Sequence, residues 1–574
     1  MAAHEDLADD ATSSSRPTNK KKRNRSKNPL SHARGKQQSH ENIWFRRTGK
    51  GFHLFVLYYA GQPTCTVADF SKSCSSGTAS SSENPLKDPV ANKGLSRASK
   101  RRNKKRKKQD ATGITEETSA KQQTAAKESK SDNNKTNDQL VLNNRSHPLL
   151  AAMDHHMVKD PTVGLLETFL GHMSTPLPVT FRIRRHLSDQ QQQALRNTIQ
   201  QQFSNGAVTP LLLVLQHQNK NKEEEPWLTF QTPRCGKAEL GKRHPELKQF
   251  LVDGSQNGTI ARQELGSMLP VWALEHAGCF ASLSGKRRRI LDLCASPGSK
   301  TLQAYELALL QYYKDESKNK MRILANDVSE SRLETLRDAI QRSGVVLDDD
   351  DDKSNHNLIG YGCQDARHFA SVNNKSKLWD VIICDVPCSG DGTIRKDPHI
   401  VQLWKPSQGH VLHTTQLQIL QRALQLVRVG GTICYSTCSL NPIENEAVVA
   451  AALEQYAKQQ QEDDNNKTPA VEILSLSLPG LVLHPGISTW RVAEYRDDKV
   501  EESNDDDDED DDEIPKLIWH DTYEEASRAK MPHAVPSMWP PSAKNSFHLE
   551  RCQRLWPQDH DSGGFFLAVI RKNR

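Results

Sequence analysis

Cys388, in DVPCSGDG, and Cys438, in YSTCSLNPIENE, each stand just past the end of an apolar run and beside small polar residues. Each run already holds a cysteine four residues earlier, Cys384 and Cys434. The two inside the runs read as core thiols. The two beyond them stand where a strand-end loop would present a side chain to a ligand. A thiol so placed suits one demanding piece of chemistry. Carbon five of a pyrimidine is a poor nucleophile until a thiolate adds to carbon six and turns the ring into an enamine. The enamine takes a methyl group from a sulfonium; then the proton on carbon five must leave and the enzyme–base bond must break. One thiol to add and one to assist release fits these steps, and the residues alone leave open which does which. The competing reading is a metal site, since 384/388 and 434/438 form two CxxxC pairs. That spacing is wrong for a zinc ribbon, and no nearby histidine completes a finger, so no metal is expected.

Acids and a tight turn surround this pair in sequence. Asp385 precedes Pro387-Cys388 and is placed to hydrogen-bond a ring nitrogen or exocyclic amine as the thiol adds. Asn441-Pro442-Ile443-Glu444 reads as N-cap, first helical residue and capping-box acid, which would set Cys438 before a helix N-terminus. ASPGSK, residues 295–300, is a tight turn opening a helix, with backbone N–H groups for an anionic group. It has neither the GxGxxG nor the P-loop spacing, and a carboxylate suits it better than a pyrophosphate. Asp327 stands where an acid takes both ribose hydroxyls, and Asp365 within reach of an adenine amino group. Each acid alone also reads as a helix N-cap. Three at consecutive strand ends describe an adenosine-plus-amino-acid pocket, which fits S-adenosylmethionine. Lys300 adds positive charge there, with a first-turn surface lysine as its bland alternative.

The elements that must hold these residues are legible from residue 285 onward. RRRILDLC (287–294), MRILAND (321–327), LIGYGCQD (358–365), LWDVIICD (378–385) and TICYSTC (432–438) are short apolar runs. Helical patterns separate them: TLQAYELALLQYY, SESRLETLRDAIQ and QLQILQRALQLVR. Repeated strand–helix units of this kind predict a doubly wound parallel α/β sheet with ligands at the carboxyl ends of its strands. GGFFLAVIRK (563–572) reads as one more strand that closes the sheet. Acidic runs at 348–352 and 501–513 read as exposed insertions. Upstream, residues 158–265 read as a small α/β unit: the helix LLETFLGHM, the strand PLPVTFRIRR, and the helix SDQQQQALRNTIQQQF capped by Ser188 or Asp189. Arg182, Arg184 and Arg185 make that strand a candidate RNA-facing surface or, equally, an exposed edge.

Composition sets the remaining bounds. Of 574 residues only 35% are hydrophobic, so a large part is expected not to fold. Residues 1–150 carry 29 Lys+Arg against 14 Asp+Glu and read as a disordered basic tail, with KKRNR at 21–25 and KRRNKKRKK at 100–108. Such clusters suggest phosphate contact or a nuclear import receptor, against a plain solvated tail. ENIWF (41–45) and FVLYYAG (55–61) are apolar islands that could fold back on the body as a short helix. Eleven irregularly spaced cysteines without a CxxC argue for a reducing compartment. MAAHEDLADD does not read as a targeting peptide, and Leu54 to Ala60 is too short to span a bilayer.

In order, LDLCASPGSKT, ANDV, CDVPCSGDGTIRKDP and YSTCSLNPIENEAVV resemble the signature blocks of the Sun/Nop-type RNA (cytosine-5) methyltransferase family. NGTIARQELGSMLP (257–270), LPGLVLHPGISTW (478–490) and HLERCQRLWPQ (548–558) resemble its eukaryotic multisite tRNA branch. The similarity covers about 150–574. It implies a Rossmann-like class I methyltransferase domain over 266–574, an RRM-like small α/β domain over 158–265 before it, and S-adenosyl-L-methionine as cofactor. Carried over by position, Cys438 in TCS would be the nucleophile and Cys388 in PCSG would help release product. Cys294, Ala295, Ser296, Pro297, Gly298, Ser299 and Lys300, with Asp327, Asp365 and Asp385, would bind the cofactor. The family's turn more commonly has Ala-Ala where Ala295-Ser296 stands. Members of the branch typically continue into a further C-terminal domain, whereas this chain stops at Arg574, so the tail and small domain are expected to take over gripping tRNA. The resulting expectation is methylation of cytosine C5 in RNA, tRNA first, with rRNA or mRNA as alternatives and a non-catalytic nuclear RNA-binding factor as another reading. The nucleus is the expected location, with the nucleolus or cytoplasm as alternatives.

Overall fold

A computed structural model describes residues 54–55, 58–59, 169, 171–203, 208–211, 228–235, 237–281, 288–314, 321–343, 359–370, 378–460, 469–496, 516–542 and 547–574. Both basic clusters, ENIWF, most of the basic tail and both acidic insertions lie outside the described residues. No described helix is long and apolar enough to cross a membrane.

The first sheet is antiparallel, with β1 (Thr180–Ile183) central, β2 (Thr209–Pro210) and β3 (Thr229–Gln231) on one side and β4 (Ile260–Arg262) on the other. Alternation along β1 sends Phe181 and Ile183 into a core shared with Ile199, Phe203, Leu247 and Leu251 of the flanking helices. The helix Asp189–Phe203 opens on a reciprocal cap: Ser188 Oγ accepts the Gln191 N–H, and Gln191 Oε1 accepts the Ser188 N–H.

The same alternation turns Arg182 and Arg184 away from that core. They are buried, and both reach Glu306 on the helix Ser299–Lys314 of the following unit. Arg184 lies 2.5 Å from Glu306 Oε1, and Arg182 also donates to Gln263 Oε1. Arg185 is 3.3 Å from Glu275. The expected RNA-facing strand is therefore corrected: its arginines fasten the small sheet to the large one. Burial alone would push Glu306 up, but the two guanidiniums hold it down at about 2.

The large sheet contains β5 (Arg289–Asp292), β6 (Arg322–Asn326), β7 (Ile359–Gly362), β8 (Trp379–Asp385), β9 (Val427–Thr437), β10 (Val471–Ile473) and β11 (His484–Pro485). A separate two-stranded piece pairs β12 (Val492–Tyr495) with β13 (Leu517–His520). β14 (Gln553–Leu555) and β15 (Phe565–Lys572) return to the large sheet, whose order is β11-β14-β15-β9-β8-β5-β6-β7, with β10 pairing β15 as well. The block β7-β6-β5-β8-β9 is parallel, as expected for a doubly wound sheet. β15 runs antiparallel to β9 and does not close the sheet, because β14 and β10 add to its far edge. Those added strands are two or three residues long, too short for a periodic signal.

Both faces of the sheet are covered. Ile382, Ile433 and Phe566 join one core with the helices Ser407–Leu426 and Glu446–Gln459, while Val381, Ile383 and Phe565 join the other with Leu265–His276 and Ser299–Lys314. Cys384 faces the first core and Cys434 the second, so the four thiols of the CxxxC pairs do not converge. The chain order reverses between β5 and β8, and that switch point opens the crevice where such sheets take ligands.

Candidate active site

The site is assembled where β6, β5, β8 and β9 end side by side. Beyond β5 the chain turns through Leu293 to Gly298; the Ser296–Pro297 peptide is cis and Gly298 has φ of +105°, a region that favours glycine. Ala295 N–H donates to Asn326 O at 2.8 Å, and Ser296 N–H to Asp327 Oδ2 at 3.3 Å. Asp327 follows β6 directly, is buried, accepts the Ser329 N–H at 3.1 Å and lies 3.4 Å from Arg332. Its carboxylate thus anchors the turn between β5 and the helix Ser299–Lys314.

Asp365 is placed differently from the expectation. β7 ends at Gly362, and Asp365, three residues on, caps a single helical turn by accepting the Arg367 N–H at 2.9 Å. The Arg367 side chain holds its carboxyl below the usual range. Asn326, overlooked in the sequence, ties this segment in: its side-chain N–H groups reach Leu293 O and Gln364 O, and its oxygen accepts the Gln364 N–H.

Lys300 is not a surface lysine. It is 8% exposed, and its Nζ lies 2.7 Å from Asp385 Oδ2 and 2.9 Å from Ser267 Oγ. Burial opposes its charge, but Asp385 prevails and keeps the ammonium protonated above the usual lysine range. Asp385, the last residue of β8, accepts from Ser436 Oγ with its other oxygen at 2.7 Å. The register pairs Asp385 with Ser436, so the loops beyond β8 and β9 leave the sheet together.

Those loops carry the two thiols. Cys388 Sγ and Cys438 Sγ are 3.3 Å apart, and both residues are half-buried. Cys438 beside it, and then burial, push the Cys388 thiol well above its ordinary value. Burial likewise pushes up Cys294, Cys384 and Cys434, which stay neutral.

Glu444 corrects a sequence reading. The helix after Cys438 begins at Glu446, following a turn over 441–445, so Glu444 is not its capping acid. It points back, fully buried, and accepts from Ser389 N (2.8 Å), Ser389 Oγ (2.5 Å), Ser439 Oγ (2.8 Å) and Gln416 Nε2 (3.0 Å). Ser389 follows Cys388 and Ser439 follows Cys438. One carboxylate therefore clamps both cysteine loops. Gly392 closes the same seam: its N–H reaches Cys438 O at 3.0 Å, and a Cβ there would come within 2.5 Å of Gly564 O.

The crevice fits a ligand with an amino-acid end. Asp292 Oδ1 and Ser296 Oγ are buried without a hydrogen-bond partner among the described residues. Burial pushes the Asp292 carboxyl up to about 7, against the Thr301 hydroxyl that donates to its other oxygen at 2.7 Å. Asp292 was not singled out from sequence, where it read only as a strand residue.

Residues 283–478 match the family described as 16S rRNA methyltransferase RsmB/F. The chain is 32% identical to the multisite-specific tRNA:(cytosine-C(5))-methyltransferase trm4b of Schizosaccharomyces pombe, over 71% of this chain and 56% of that protein. It is 31% identical to the multisite-specific tRNA:(cytosine-C(5))-methyltransferase of Saccharomyces cerevisiae, over 71% of this chain and 52% of that one. The ribosomal RNA small subunit methyltransferase F of Escherichia coli is 36% identical to the chain over 35% of this chain and 36% of its own length. The chain spans about half the length of the yeast relatives it matches.

Proposed function

We propose that this protein methylates carbon five of cytosine in RNA, tRNA being the substrate class, with S-adenosylmethionine as methyl donor. The observation that carries the reading is the pair of thiols 3.3 Å apart just beyond β8 and β9, with Asp385 at the end of β8 held by the buried Lys300. The yeast relatives, which match most of the chain, favour tRNA; the bacterial relative matches about a third of it.

The roles proposed here join the family resemblance, which names Cys438 as nucleophile and Cys388 as its helper, to the placement of these side chains. The segment Cys294 to Lys300 and Asp292 take the amino-acid end of the cofactor, Asp327 its ribose and Asp365 the edge of its base. When bound, the cofactor supplies an electrophilic methyl group. Cys438 adds to carbon six of the target ring, and Asp385, itself held by Lys300 and Ser436, hydrogen-bonds the ring edge as charge develops. While the Cys438 sulfur is anionic, Cys388 keeps its proton and donates to it. Once Cys438 is bonded to the ring, the neighbouring negative charge is gone and Cys388 ionises more readily. Having lost its own proton to solvent, Cys388 takes the carbon-five proton as a thiolate; the electron pair of that bond forms the C5–C6 double bond as the bond from carbon six to Cys438 breaks, and Cys438 leaves as a thiolate.

The test is incubation with methyl-labelled S-adenosylmethionine and transcribed tRNAs, with bisulfite sequencing to map the product. No label at cytosine C5 in any tRNA or rRNA would defeat the reading. We also propose nuclear import through the basic clusters at 21–25 and 100–108. A tagged chain lacking both clusters should lose nuclear accumulation, and unchanged distribution would refute that part.

A further inference from the structure

Leu54, Phe55, Tyr58 and Tyr59 lie far up the chain from the cysteine loops, yet they are helical and buried against them. Their spacing puts all four on one helical face. Phe55 meets Trp404 edge-on at 5.5 Å between ring centroids and stacks on Phe169 at 6.3 Å. Packing of this kind would suffice to anchor the segment. The two tyrosines do more, because their hydroxyls reach the loops that carry the thiols.

Tyr58 donates to Asn441 Oδ1 at 2.9 Å, an oxygen that also accepts the Ile443 N–H. Tyr59 donates to Asp391 Oδ2, and Asp391 Oδ1 accepts the Leu440 N–H at 2.7 Å. Asp391 belongs to the Cys388 loop, and Leu440 lies two residues past Cys438. Asp391 thus spans the two loops, as Glu444 does. It is fully buried, so its carboxylate persists only while donors fill its lone pairs. Tyr59 is one of those donors, and it comes from outside the methyltransferase domain.

We propose that Tyr59 is a positioning residue for methyl transfer: through Asp391 and Leu440 it fixes the loop that presents the Cys438 sulfur. Leu54, Phe55, Tyr58 and Tyr59 are then part of the active-site framework, and their removal leaves the sheet intact but the nucleophile misplaced. This rests on the function proposed above for Cys438.

The experiment uses the full chain with single substitutions. In single-turnover methylation of transcribed tRNA at saturating cofactor and RNA, Tyr59→Phe should lower the rate about tenfold or more. Its affinity for S-adenosylmethionine should stay within about twofold, since no cofactor residue is touched. Phe55→Leu removes packing but no hydroxyl; it should lower the melting temperature while leaving the saturated rate within about twofold. Tyr59→Phe combined with Asp391→Asn should be no slower than the slower single variant, because both break one connection. A second readout needs no RNA. Iodoacetamide labelling of Cys438, followed by mass spectrometry with exposed Cys363 as internal reference, should change roughly threefold or more in Tyr59→Phe. A wild-type rate and wild-type Cys438 labelling in Tyr59→Phe overturn the proposal, as does a loss in Phe55→Leu equal to that in Tyr59→Phe. Wild-type protein that transfers no methyl to RNA removes the proposed function instead, and the Cys438 label alone then decides whether Tyr59 sets that loop.

Discussion

The sulfur of Cys388 stands 3.3 Å from the sulfur of Cys438 although fifty residues separate them. Parallel pairing of β8 with β9 brings the loops out side by side, and Glu444 binds the serine that follows each cysteine. The thiols are thus held as a pair by groups that are not themselves thiols.

Removing either sulfur separates the two roles. Cys438→Ala should abolish methylation, because no nucleophile remains to activate carbon five. Cys388→Ala should still add to the ring but fail to release it, so a covalent protein–RNA adduct accumulates. A denaturing gel with labelled tRNA reads both outcomes. No slow-migrating band for Cys388→Ala would mean that the assignment of roles is wrong.

Glu444→Gln keeps the shape of the clamp and spoils its polarity. A glutamine offers one accepting oxygen where Glu444 offers two: with that oxygen on Gln416 and the Ser389 N–H, its N–H₂ meets the Ser389 and Ser439 hydroxyls, which must both turn from donating to accepting. The expected result is a loss of about a hundredfold in single-turnover rate, from misplacement of both loops. Cofactor affinity, measured by calorimetry, should change little.

Cofactor binding should depend on pH through Asp292. Burial raises its carboxyl to about 7, so below that pH the acid is largely protonated and neutral. A neutral acid cannot pair with the ammonium of the cofactor's amino-acid end. Affinity should therefore weaken as pH falls from about 8 to about 6, and Asp292→Asn should flatten this dependence. Calorimetric titrations at the two pH values would show it; a pH-independent wild type would exclude the pairing.

Glu306 links the small sheet to the large one and titrates in the opposite sense. Its folded value, about 2, lies below the ordinary glutamate range, so its contribution is complete above that range and is lost as pH falls toward 2. Glu306→Ala leaves two buried guanidiniums unpaired and should cost about 3–5 kcal/mol. Urea unfolding at neutral pH measures the loss. Susceptibility of the segment 180–262 to proteolysis should rise with it.

Much of this site was written in the chain. Apolar runs of four to eight residues, each ending in an acid or a tight turn, predicted the parallel sheet and the edge at which Asp385, Cys388 and Cys438 gather, because a buried strand needs continuous apolar residues and its loop needs turn chemistry. Cys388 and Cys438 could be named because a thiol beside small polar residues just past a strand suits few other tasks, whereas Asp385 and Lys300 each had an ordinary alternative that only the fold removes. Local sequence could not assign the partners of buried charge. Glu444 fits a capping box by spacing and instead clamps two loops; Arg182 and Arg184 fit an RNA-facing strand and instead meet Glu306. Tyr59 sits in an apolar island with no hint of Asp391. Sequence fixes periodicity and residue chemistry, which are local; only the folded chain decides which distant donor satisfies a carboxylate taken out of water.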